Sequence, residues 1–273
     1  MKLTVGHITY ANCTPFFHHL AAAGFTGRIV PGVPAQLNRQ LAAGEIDVSP
    51  SSSFEYARNW RDYLLLPGHS ISAFGPVLSV LLFSPCEPGE LAGEEIALTG
   101  ESATSVNLLH VLLREFYGFG KFTAAVPEGP VEELIAAGRP ALLIGDRALR
   151  AALAPPPGVQ VYDMGALWRQ HTGLPFVFAL WILRRSAAAA QPAAVRALLA
   201  QLGESRRRAF ASLERLAAES PEREWLGEAG LVNYWRAMSF DLTEVHLQGL
   251  RLFFSLCHKY CLLPEMPEIS FFE

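Results

Sequence analysis

Two clusters of hydroxyl side chains carry most of the chemistry this chain can offer. The first lies in Gly44-Glu45-Ile46-Asp47-Val48-Ser49-Pro50-Ser51-Ser52-Ser53-Phe54-Glu55-Tyr56-Ala57, the second in Ile96-Ala97-Leu98-Thr99-Gly100-Glu101-Ser102-Ala103-Thr104-Ser105-Val106-Asn107-Leu108-Leu109. In each, a short apolar run with strand character ends in Ser or Thr, and a helical apolar pattern begins. A helix N-terminus presents unpaired N–H groups and a partial positive charge, which suit carboxylates. Ser51 and Ser52 from one cluster and Ser102, Thr104 and Ser105 from the other are therefore candidate binding residues. Two such termini would grip a small dicarboxylate between them. Ser and Thr are also ordinary N-caps, so it is the pairing of the clusters that points to a ligand.

No general base stands out. The eight histidines are scattered along the chain. Glu55 falls in the first turn of a helix, where an acidic side chain has a capping role, and Asp146 reads as the N-cap of another. The four cysteines are expected as free thiols. Cys257 and Cys261, one helical turn apart, read as two buried thiols on a packed helix, because their spacing is not that of a zinc or haem site. GxxxxGK[ST], GxGxxG after a strand, and HExxH are all missing, so neither a metal nor another cofactor is expected.

The elements that must position these residues alternate in type. Strand patterns fall at residues 3–5, 28–30 and 46–48, with helices opened by Pro15 and Pro34 between them, the first running to about Ala23. Extended segments follow at 63–66 and 70–83, the latter broken at Gly75-Pro76. A second α/β block has strands at 96–98, 122–126 and 141–144 and helices near 105–117, 130–137 and 146–153. Strands at 159–162 and 176–183 come next, and from Pro192 to Tyr260 the pattern is helical almost throughout. Repeated βα units favour largely parallel sheets faced by helices. The expectation is two α/β lobes joined by crossings near 70–84 and 174–184. Lobe one would comprise 1–83 with 184–273 and lobe two 84–183, with the ligand at the C-terminal ends of strands. That is a periplasmic-binding-protein-like type II fold with a helical C-terminal segment.

Composition narrows the partners. The chain has 273 residues, 51% of them hydrophobic, enough for two such lobes, and its net charge of -4 argues against nucleic acid. Arg206-Arg207-Arg208 reads as a solvated helix face. The first residues read as a strand rather than a signal peptide, residues 64–83 are interrupted by Pro and Gly, and 176–183 is too short to cross a bilayer. A cytoplasmic protein without membrane insertion is expected; its oligomeric state is open.

A series of motifs in order then resembles a known family. Gly6-x-Ile8-x-Tyr10-x-Asn12-Cys13-x-Pro15 is similar to the N-terminal signature of the chorismate dehydratases of the futalosine route to menaquinone. Further matches are Val33-Pro34-x-x-Leu37-Asn38, the first serine cluster, Ser70-Ile71-Ser72-Ala73-x-Gly75-x-Val77-x-Ser79-Val80, and Ser102-x-Thr104-Ser105. Ile144-Gly145-Asp146-x-Ala148-Leu149 and Trp168-x-x-x-Thr172-Gly173-Leu174-Pro175-Phe176 complete the series. The resemblance covers residues 3–185. It implies a carbon–oxygen lyase that dehydrates chorismate to 3-[(1-carboxyvinyl)oxy]benzoate, with Asn12 and Ser79 as catalytic residues. Asn12 follows the first strand and its amide could serve the leaving hydroxyl or a carboxylate; Ser79, on a crossing segment, could do likewise. With no protein base in view, the substrate's own enolpyruvyl carboxylate is a candidate. Three other readings stand beside this one: a non-catalytic solute-binding protein for a small carboxylate, the related dihydroxynaphthoate-forming enzyme of the same pathway, and a LysR-type effector domain.

Overall fold

The structure is a computed structural model that describes residues 2–273. Met1, where the expected first lobe begins, lies outside the described residues. The strands are β1 (Thr4–Ile8), β2 (Arg28–Gly32), β3 (Val48–Ser52), β4 (Tyr63–Ala73), β5 (Val80–Ser84), β6 (Glu95–Leu98), β7 (Thr123–Ala125), β8 (Ala141–Ile144), β9 (Gln160–Asp163) and β10 (Phe176–Arg184). They form two five-stranded sheets, in the orders β2-β1-β3-β10-β4 and β7-β6-β8-β5-β9. In the first sheet β1 runs parallel to β2 and β3, while β10 is antiparallel to β3 and β4. The second repeats this scheme, with β6 parallel to β7 and β8 and β5 antiparallel to β8 and β9. Each sheet thus receives one antiparallel strand from the chain arriving out of the other. Strand pairing puts the crossings at residues 74–79 and 173–175, before the expected lobe limits at 83/84 and 183/184.

The helices are α1 (Thr14–Phe17), α2 (Pro34–Ala43), α3 (Ser53–Arg58), α4 (Ala103–Val111), α5 (Val131–Ala136), α6 (Gly145–Leu153), α7 (Met164–Thr172), α8 (Arg185–Ala190), α9 (Pro192–Ala211), α10 (Leu213–Glu219), α11 (Arg223–Leu226), α12 (Glu228–Ala237) and α13 (Glu244–Lys259). Pro34 at the first helical position and Gly44 in a left-handed cap bound α2, as its sequence predicts. The last long helix begins at a capping box between Thr243 and His246.

Several expectations need correction. The helix opened by Pro15 lasts one turn instead of running to Ala23. The pieces expected at 63–66 and from 70 are one strand, β4, whose register against β10 shifts to absorb Pro67 and Gly68. α4 gives way at Leu112 to a π-helical turn, Leu112–Phe116, in place of one helix to Tyr117. Cys261 is exposed just beyond α13 with φ +56°, so of the two expected buried thiols only Cys257 is buried.

One large core runs through both sheets, with Trp168, Trp181, Tyr234 and Trp235 fully enclosed. The C-terminal segment folds back on the first sheet: α9 packs on α1, α13 on β10, and residues 270–272 bond to Leu65 at the β4 edge. The bonded register between β1 and β3 is confined to Val5 and Val48, which leaves the C-terminal ends of both strands without a ladder between them. Open α/β sheets bind ligands at such ends. Where the chain first passes between sheets, the Asp163 carboxylate receives the N–H groups of Val77 (3.0 Å) and Leu78 (2.6 Å). It also caps α7 through Gly165 and Ala166. Leu78 has φ +63°, unusual for a residue with a branched side chain.

Candidate active site

A cleft of about 480 Å³, mouth included, opens between the two sheets. Several short segments of the first-sheet side reach it, among them Pro34 of α2 and Ile71 of β4. The end of β1 runs into a 3₁₀ turn (Ala11–Cys13) that presents Tyr10 and Asn12, the start of α3 brings Ser52, and β10 contributes Phe178 and Ala179. From the other side come Ser102 and Ser105 at the start of α4, and Ile144 and Gly145 at the start of α6. Ser79 closes the first crossing directly against it.

Five of the seven predicted site residues therefore meet: Asn12, Ser52, Ser79, Ser102 and Ser105 all line the cleft. The other two do not. Ser51 is fully buried off the cleft, its Oγ without a hydrogen-bond partner. Thr104 turns toward the opposite lobe, where its Oγ1 accepts the Phe54 N–H at 3.1 Å and lies 3.3 Å from Ser53 Oγ. It is a fastener between α4 and α3. Ser102 is a true N-cap, accepting from Ser105 N at 3.1 Å, and its hydroxyl also meets Ser105 Oγ at 3.0 Å. α3 has only six residues, so Ser52 offers a ligand its hydroxyl more than a helix dipole.

Among the described residues, none of those lining the cleft is His, Asp, Glu, Lys or Arg. Its polar atoms are neutral: serine hydroxyls, one phenol and one amide. Asn12 Oδ1 is buried without a partner, a state that native proteins rarely leave uncompensated. Either end of that amide would serve a ligand, as acceptor or as donor. Ser79 Oγ receives the Tyr234 hydroxyl at 2.7 Å.

Charged groups stand one layer back. The Tyr10 hydroxyl donates to Glu101 at 2.6 Å, and Arg147 holds Glu101 and Glu132 together. Burial and this carboxylate both push the phenol up, so it remains a donor. Asp146 is not the N-cap expected of it: that position is Ile144, and Asp146 Oδ1 instead accepts Ala11 N–H across the cleft at 3.0 Å. Burial pushes its carboxyl up to about 6. Glu55 likewise caps nothing; it is buried under Arg58, Asn59 and the Tyr63 hydroxyl. Gly145 has φ +61°, and a Cβ there would sit 2.6 Å from the Tyr10 ring. Its N–H donates to Ser79 O at 2.7 Å. Only glycine lets the Tyr10 ring lie this close to the backbone that bonds Ser79 O.

Residues 3–259 match the family described as menaquinone biosynthesis. The chain belongs to this family. It is 37% identical over 258 residues to a chorismate dehydratase of Thermus thermophilus, covering 89% of this chain and 91% of that one. A chorismate dehydratase of Campylobacter jejuni is 32% identical over 180 residues, 64% of each chain. The fold has solved counterparts. A protein from Archaeoglobus fulgidus superposes with a TM-score of 0.73 at 18% identity, covering 96% of this chain and 98% of that one. An alkanesulfonate-binding protein from Xanthomonas axonopodis pv. citri gives 0.69 at 17% identity, covering 97% and 94%. At such identities the likeness is one of fold, and the fold of this family member is the periplasmic-binding-protein-like one its sequence predicts. Among its described residues no helix is long and apolar enough to cross a membrane, and no trio of His, Cys, Asp or Glu is arranged to hold a metal ion.

Proposed function

We propose that this protein is a chorismate dehydratase, a carbon–oxygen lyase that makes 3-[(1-carboxyvinyl)oxy]benzoate for menaquinone in the cytoplasm without a metal or other cofactor. Besides family membership, one observation carries the reading: a cleft that gathers Asn12, Ser52, Ser79, Ser102 and Ser105 from both sides and has no ionisable lining beyond the Tyr10 phenol.

Chorismate carries a ring carboxylate, an enolpyruvyl carboxylate and a C4 hydroxyl. Ser102 and Ser105 at the start of α4 suit one carboxylate, and Ser52 suits the other. Asn12 and Ser79 then face the C4 oxygen. The ring carboxylate is conjugated with C3, so the electron pair left when the C3 proton departs is stabilised there before the C4–O bond breaks. The proton goes to the enolpyruvyl carboxylate of the substrate itself, because the cleft wall offers no carboxylate or imidazole to take it. Hydroxide leaves C4 against the Asn12 and Ser79 hydrogen bonds and takes up the proton that the enolpyruvyl carboxyl received from C3, so that water departs, the carboxylate is restored and the ring becomes aromatic. The protein's work is positioning and electrostatic support of the departing oxygen. The two sheets, each with its helices, would move against one another about the crossings at 74–79 and 173–175 to admit the substrate.

Incubation of the purified protein with chorismate, followed by mass and ultraviolet absorbance, tests this directly. Loss of one water and a new aromatic absorbance are expected. Recovery of unchanged but bound chorismate would leave a solute-binding protein, the second reading that the fold favours.

A further inference from the structure

Tyr234 and Trp235 are consecutive residues of α12, in the C-terminal segment that carries no motif, and both are fully buried. Each reaches a different wall of the cleft. Trp235 Nε1 donates to the Ala11 carbonyl at 2.8 Å, beside Asn12, and the Tyr234 hydroxyl donates to Ser79 Oγ at 2.7 Å. The other protein partner of Ser79 is weak: Val77 O stands 3.4 Å from its Oγ, near the limit of a useful bond. A hydroxyl that accepts a strong hydrogen bond becomes a better donor, and its own proton is left for a partner elsewhere. For Ser79 that other side is the cleft. Burial also pushes the Tyr234 phenol far above its ordinary range, so it stays protonated. Tyr234 itself does not line the cleft.

We propose that Tyr234 is a positioning residue for the dehydration, fixing and polarising the Ser79 hydroxyl so that it donates to the departing C4 oxygen of chorismate. The inference rests on the dehydratase reading above. No bond to Tyr234 is made or broken. Its phenol keeps its proton, and only the direction and strength of the Ser79 hydrogen bond change. Without the phenol, the Ser79 hydroxyl is free to turn toward Val77 O and away from the substrate.

The test is a kinetic cycle of the full chain with chorismate: wild type, Tyr234→Phe, Ser79→Ala and the double variant. Tyr234→Phe removes one oxygen and keeps the ring in its packing. Its kcat is expected to fall roughly tenfold, with KM held within about twofold. Added to Ser79→Ala, it should cost nothing further, since its effect passes through that hydroxyl. In a second variant, 3-fluorotyrosine at position 234, nearly isosteric and a stronger donor, should hold kcat at or above wild type. A wild-type kcat for Tyr234→Phe would overturn the inference. An equal loss in both Ser79 backgrounds would also do so, by marking a purely structural role. Wild-type protein that leaves chorismate unconverted would instead overturn the dehydratase reading, and this inference with it.

Discussion

Asp146 joins the two sides of the cleft at an electrostatic cost, and that cost can be measured. Its Oδ1 holds the Ala11 N–H at 3.0 Å. Burial, helped by the charge of Glu222, moves its carboxyl from 3.8 up to about 6, while the Ala11 bond and Arg150 pull the other way. Below the unfolded value the folded and unfolded chains both carry this proton, and the group contributes no pH dependence. Between 3.8 and about 6 the unfolded chain ionises first, so the folded chain binds more protons and stability falls as pH rises. Above about 6 both are ionised and the full penalty stands. A displacement from 3.8 to about 6 is worth on the order of 3 kcal/mol. Asp146→Asn keeps an oxygen for the Ala11 N–H and removes the charge. Urea unfolding should therefore show the variant more stable than wild type at about pH 8, by up to that amount, with the gap closing toward about pH 4. A gap that is absent at the higher pH, or that stays constant down to the lower one, would refute the burial account of this carboxyl.

Three other outcomes are expected. Asn12→Ala and Ser79→Ala should each lower kcat about 10²–10³-fold with little change in urea midpoint, if they support the leaving oxygen; steady-state kinetics beside unfolding curves will show whether they do. Thr104→Val leaves the buried Phe54 N–H without an acceptor and should cost about 1–3 kcal/mol of stability. Calorimetric titration should find its affinity for the product nearly unchanged, whereas Ser102→Ala with Ser105→Ala should weaken that affinity and spare the fold. In solution scattering, chorismate or its product should compact the protein and benzoate should not, because only a dicarboxylate can engage both sides of the cleft; equal compaction by benzoate would count against bridging.

How far the site could be read from residues alone depended on the range of the interactions. The clusters were visible because an N-cap is a local event, set by residues within one turn. Their internal geometry was also legible in principle. Ser102 and Ser105, three apart on a helix, share a face, whereas Thr104 lies on another. Adjacent residues on β3 point to opposite faces, so of Ser51 and Ser52 only one can meet a ligand. Asp146 is not the cap its acidic side chain suggests because the N-cap of α6 is Ile144, two residues earlier, which leaves Asp146 inside the first turn. Tyr234 gave no signal at all. It meets Ser79 across 155 positions of chain, and an isolated tyrosine among helix formers looks like any other core aromatic. The strand and helix order followed from hydrophobic period and Gly/Pro punctuation, while the single long β4 did not, because tertiary pairing with β10 overrode the breaking tendency of Pro67-Gly68.

The Asp163 carboxylate has a mechanical consequence. By gripping the amides of Val77 and Leu78 while capping α7, it splices the far half of the outbound crossing onto the second sheet. Residues 74–76 would then serve as the pivot of that crossing. Ser79 is tied further to that side by the N–H of Gly145, so an opening of the cleft about this crossing would carry it outward and away from Tyr234 on α12. On the dehydratase reading the arrangement would be an interlock: the hydroxyl proposed to face the departing oxygen would be armed only while the door is shut, and releasing the product would disarm it.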